Sequence, residues 1–194
     1  MTSGGARPRG YGPAVGEPPP LVDPRRWGSL IGLVGSMVFV ASYSPALGTG
    51  ITVLAWVAGS VGVLTALFAH YVRPSALGPL SRPRPVALVV YGACVVGELA
   101  LIAAGSRALE AVGQGDLRPS LIAAVVGVHF LPFAWAFGEA MFFTLGGVVA
   151  GLGVVGLVLG ALGVPAAAEA FAVLAGLAMI VIIARYALGR WRRP

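Results

Sequence analysis

Apolar residues run along this chain in six blocks, at 27–47, 51–72, 86–106, 119–137, 141–163 and 166–188, with short polar or glycine-containing breaks between them. A helix rises about 1.5 Å per residue, so about 20 apolar residues are needed to cross the hydrocarbon core of a bilayer. Each block meets that length. The pattern predicts an all-α, polytopic membrane bundle of six transmembrane helices over 27–188. A Pro/Gly-rich tail without apolar period is expected to be disordered over 1–26, and a short basic C-terminus follows at 189–194.

Proline marks the starts of the blocks. Pro85, Pro119 and Pro165 stand at or just before expected helix starts, where a missing N–H does no harm. The connections at 138–140 and 164–165 are so short that consecutive helices should be antiparallel neighbours. Glycine spacing refines the packing expectation. On the fifth span Thr144, Gly147 and Gly151 share one face, and Gly153, Gly156 and Gly160 lie on nearly the opposite one. Small residues allow close backbone approach, so Gly147, Gly151, Gly156 and Gly160 are expected to pack this span tightly at the centre of the bundle. A narrower stripe of Gly28, Gly32, Gly35 and Ser42 suits the first span to one close partner or to self-association through its small-xxx-small spacing.

Charge adds an orientation. Eleven of the 13 Arg residues fall in the segments that alternate topology places on one side: Arg7, Arg9, Arg25, Arg26, Arg73, Arg82, Arg84, Arg185, Arg190, Arg192 and Arg193. The other side has Arg107 and Arg118, offset by Glu110 and Asp116. The positive-inside rule then predicts that both termini are cytoplasmic. Trp27, Tyr71, Tyr186 and Trp191 stand where interfacial anchors are expected. The pair Arg25 and Arg26 ahead of an apolar run resembles a twin-arginine signal. A further span follows directly and the residues usual around that pair are missing, so the run is read as the first membrane helix.

Composition narrows the class. With 58% hydrophobic and 10% charged residues the chain departs from soluble domains, which carry about 25% charged residues. The formal charge of +6 gathers at the ends of apolar runs, where it meets anionic headgroups, and nothing points to nucleic acid. The expected partner is the lipid bilayer, with a homo-oligomer or a larger membrane complex as a further possibility. Arg without Lys, with abundant Ala, Gly, Val and Pro, fits a GC-rich coding sequence and a bacterial inner (plasma) membrane, multi-pass. One cysteine, Cys94, rules out an internal disulfide and paired-thiol chemistry.

Few ionisable residues fall at membrane depth. Glu98 lies mid-way along the third span, where a charge costs at least about 3 kcal/mol unless paired, neutralised or wetted. Tyr91, Cys94, Glu98 and Gly105 form one stripe that should point into the bundle. His129 lies in the middle of the fourth span at a similar depth, so a contact with Glu98 is geometrically open. Pro132 removes its own N–H and releases the carbonyl of Val128, and His129, Pro132 and Ala136 share a face that could line a polar pocket. Glu139 and Glu169 suit the first turns of the fifth and sixth spans. His70, near the cytoplasmic end of the second span, reads as an ordinary interfacial histidine. No metal-ligand spacing, Walker loop or nucleophile elbow occurs, so no metal, cofactor or catalytic residue is expected.

The stretch Gly127-Val-His129-Phe130-Leu-Pro132-Phe-Ala-Trp-Ala-Phe137 resembles a loose group of small, uncharacterised bacterial integral membrane proteins that share a G-x-H-F-L-P-x-A-x-x-F pattern. The likeness covers at most the last four spans. It implies only that Gly127, His129, Phe130, Pro132 and Phe137 match the group's pattern, and it carries over no catalytic role. The functional expectation is therefore a non-enzymatic structural or accessory subunit. The alternative is a small transporter or proton-coupled permease using His129, Glu98 and the Pro132 kink.

Overall fold

The computed structural model describes residues 18–75, 77 and 85–190. Its helices are α1 (Pro24–Tyr43), α2 (Thr49–Leu67), α3 (Pro85–Ala111), α4 (Arg118–Phe137), α5 (Met141–Ala161) and α6 (Ala167–Ala187), and no strand occurs among the described residues. All six are long and apolar enough to cross a membrane. Short 3-10 turns at Ser44–Leu47 and Gly115–Leu117 join α1 to α2 and α3 to α4, and a π-helical turn, Phe68–Val72, ends α2.

Helix ends follow the local chemistry. The Oδ1 of Asp23 accepts from the backbone N–H of Arg25 at 2.9 Å, and Pro24 occupies the first helical position, so α1 begins three residues earlier than its apolar run. The tail expected over 1–26 lies outside the described residues up to residue 17. Its last part is already structured, with Val22 N–H bonded to the Pro19 carbonyl at 3.0 Å. Of the expected basic C-terminus, residues 191–194 lie outside the described residues, and Trp191 with them. Gly138, at φ 64°, closes α4 in the left-handed conformation that a side chain resists, and the chain turns at once into α5.

The centre of the bundle is α6, which corrects the expectation for the fifth span. Along its most apolar stretch 61% of α6 is buried, against 28% for α5 and 6% for α3. Helix α6 touches α1 and α2 on one flank and α4 and α5 on the other, while α3 leans on α4 at the edge. The physical reason is alanine. Ala168, Ala172, Ala175, Gly176, Ala184 and Ala187 are all buried around α6, and alanine admits a neighbouring backbone nearly as closely as glycine does.

The glycines of α5 divide by face. A Cβ at Gly153 would fall on the backbone nitrogen of Ala124, and one at Gly127 on that of Ala150, so α4 and α5 meet backbone to backbone. Gly156 and Gly160 are packed on Ser120 and Leu117. Gly147 and Gly151, expected to pack, instead face open space. A small residue permits close approach without attracting a partner, and that side of α5 has none among the described residues. The stripe expected on α1 divides in the same way. Gly28 and Gly35 are open, whereas Gly32 meets Ile183 and the Ser36 carbonyl lies against Gly176. Tyr186 is buried rather than interfacial, packed in the core with Met141, Leu145 and Met179.

Candidate functional site

Two polar clusters stand inside the apolar bundle. The first lies in the seam between α3 and α4. Helices α3 and α4 run antiparallel, and Gly105 of α3 fits against the Leu121 side chain of α4, which lets the two approach. That approach brings Glu98 Oε2 to 3.2 Å from His129 Nδ1, with 19% and 13% of their side chains exposed. The contact is electrostatic rather than an aligned hydrogen bond. Moving one proton from the carboxyl to the imidazole converts a neutral pair into an ion pair without changing the net charge. Either form therefore avoids leaving a lone charge in hydrocarbon.

Aromatic rings wall the pair. His129 packs on Phe130 and Phe133 with ring centroids 4.2 and 5.2 Å apart, and Phe133 stacks on Tyr91 at 5.4 Å. Tyr91 thus reaches the histidine through an intervening ring. Pro132 lies one turn beyond His129 on the exposed side of α4, and the helix runs through it to Phe137. The structure brings Glu98, His129 and the Tyr91 ring into one seam, with Pro132 at its outer surface. Cys94, on the same α3 stripe, is half-buried.

The second cluster, at the end of the bundle shared by the start of α1 and the end of α2, was not expected from sequence. Asp23, Arg26 and His70 are buried there to 0%, 2% and 0% exposure. Asp23 pairs with Arg25 at 2.8 Å. Arg26 donates from Nη1 to the carbonyl oxygen of His70 at 2.7 Å and from Nη2 to that of Ser75 at 3.1 Å. The same Nη1 lies 3.3 Å from His70 Nδ1. The π-helical turn, closed by Arg73 N–H to Phe68 C=O at 2.9 Å, holds the His70 carbonyl toward Arg26, and Ser75 follows just beyond it. The reading of His70 as an ordinary interfacial residue is corrected. The available signal was Asp23-Pro24, a cap followed by a first-turn proline, which moves the helix start inward and takes Arg26 with it.

No group of three or more His, Cys, Asp or Glu side chains gathers as a metal site among the described residues. Chemically, the seam can hold or pass a proton, and the end cluster can fasten α1 to α2. Comparison with family models, curated proteins and solved structures gave no match. What the fold defines is an all-α, multi-pass membrane protein.

Proposed function

We propose that this chain is a multi-pass protein of a bacterial inner membrane, with both termini cytoplasmic, serving as a non-enzymatic structural or accessory subunit. The observation that carries this reading is the Glu98 and His129 contact. The two mid-membrane ionisable residues face each other across two helices, as a pair that fixes helix register does. The Arg asymmetry supports the orientation. Partial exposure of both side chains favours a proton-coupled permease as the second reading.

Liposomes loaded with a pH-sensitive dye separate the two. The structural reading expects wild type and Glu98→Gln to be equally stable and to pass no more protons than protein-free liposomes. Proton flux in wild type that Glu98→Gln abolishes, with the fold intact, would establish the permease instead.

A further inference from the structure

Helix α6 is enclosed around most of its circumference but keeps one open stripe. Leu174, Val181, Arg185 and Leu188 recur there at helical spacing and are all exposed. On one flank Ile180 and Ala184 pack with Ala66 and Ala69 of α2, and a Cβ at Gly62 would meet Ile180. On the other flank Met179 and Ile182 pack with Leu145 and Val149 of α5. The stripe is therefore the floor of a furrow walled by α2 and α5, apolar along its length and headed by one arginine.

The surroundings of Arg185 are electropositive. Arg73, Arg185 and Arg190 are exposed at this end, where the acids among the described residues are Glu139 and Asp23, the latter buried against Arg25. Nothing in the fold occupies the Arg185 side chain, which makes no hydrogen bond or ion pair among the described residues. An arginine in a last helical turn often caps free carbonyls. Here the amides of Leu188, Gly189 and Arg190 already bond the carbonyls of Ala184, Tyr186 and Arg185 at 3.0, 2.9 and 3.1 Å. The guanidinium is left for an external acceptor at headgroup depth, and its planar fork matches a phosphate.

We infer that this furrow seats one anionic phospholipid, an acyl chain lying along Leu174 and Val181 and the phosphate on Arg185. A zwitterionic lipid offers the same chain and phosphate but carries a compensating cation, so preference for a net negative headgroup is the signature.

The test uses the full chain purified in detergent and incubated with equal amounts of dioleoylphosphatidylglycerol and dioleoylphosphatidylcholine, with retained lipid counted by native mass spectrometry. One phosphatidylglycerol per chain is expected, preferred about fivefold, as one arginine near an anionic surface supports. Arg185→Gln should remove the preference, and Arg107→Gln, at the opposite end, should leave it unchanged. A second measurement places a reporter in the furrow. In Val181→Trp, the emission gained over wild type, with its four native tryptophans, should be quenched more by chain-brominated phosphatidylglycerol than by the matching phosphatidylcholine, and adding Arg185→Gln should equalise them. Equal retention of both lipids by wild type, or a preference that survives Arg185→Gln, overturns the proposal, the latter by showing that the general positive charge of this end is sufficient.

Discussion

The guanidinium of Arg26 reaches the carbonyl oxygen of His70 at 2.7 Å across 44 residues of sequence, joining the first turn of α1 to the last turn of α2. A second bond from Arg26 to Ser75, and one from Arg25 Nη1 to the Leu77 carbonyl at 3.1 Å, extend the fastening into the segment after α2. Buried carbonyls left without a donor cost about 1–3 kcal/mol each, and bonds from a charged donor contribute about 1.5–3 kcal/mol. Arg26→Ala is expected to destabilise the folded protein by about 2–4 kcal/mol in denaturant titration in detergent micelles. Arg73→Ala, at an exposed position of the same end, is expected to change stability by less than about 1 kcal/mol. Equal effects at the two sites would show that Arg26 is only one more surface charge.

Asp23 has two jobs, and two substitutions divide them. Its Oδ1 caps α1 through the Arg25 amide, and its carboxylate pairs with the Arg25 guanidinium. Asp23→Asn keeps a capping oxygen and loses the ion pair, whereas Asp23→Ala loses both. The alanine variant should be the less stable of the two by about 1 kcal/mol, the usual worth of an N-cap. Identical unfolding midpoints would mean that the cap contributes nothing beyond the charge.

Much of this fold was legible because lipid imposes a simple rule: a block of about 20 apolar residues has to be a helix that satisfies its own backbone. That rule places six helices, and the similar depth of Glu98 and His129 makes their contact geometrically open. Neighbourhood was harder to read. The glycines of α5 are equally small on both faces, and only the presence of Ser120 and Ala124 on α4 decides that Gly153 is covered while Gly151 is open. Alanines gave α6 its central place, and they are too common in this chain to stand out. In sequence Arg26 is a positive-inside marker, because nothing there reveals that the π-helical turn at Phe68–Val72 holds the His70 carbonyl toward it.

The division of α5 into two faces can be tested directly. Gly153→Ala pushes a methyl into the α4 backbone, and Gly127→Ala does the same from the other side. Overpacking of this kind costs about 1–3 kcal/mol. Gly147→Ala and Gly151→Ala meet nothing and replace a poor helix former by a better one, so they should be neutral or stabilising by up to about 1 kcal/mol. Thermal stability of the four variants in one detergent decides the matter, and a loss at Gly151 comparable to that at Gly153 would place a partner on the outer face of α5.

Orientation follows from charge and is open to chemical labelling. In a Cys94→Ser background, a cysteine introduced at Gln114 should react with an impermeant maleimide in intact cells, while one at Gly4 should react only after the membrane is opened. The opposite pattern would invert the topology and move the Arg185 end to the outer leaflet.

The pairing of Glu98 with His129 carries an energetic consequence that a double-mutant cycle measures. Their atoms approach to 3.2 Å, so each single change removes the same contact and leaves one ionisable partner alone in the seam. His129→Ala and Glu98→Ala should each destabilise, and the double variant should cost less than the sum of the two. The coupling should be modest, because interhelical polar contacts in membrane proteins average about 0.6 kcal/mol, the unfolded chain in lipid also finding partners. Phe133 complicates the reading, since it packs on the His129 ring, and the alanine variant loses that contact as well. His129→Phe keeps a ring against Phe133 while removing the imidazole, so the cycle built on it isolates the polar term. A coupling near zero in the phenylalanine cycle, alongside a large one in the alanine cycle, would assign the linkage to ring packing and leave the carboxyl without a role in holding α3 to α4.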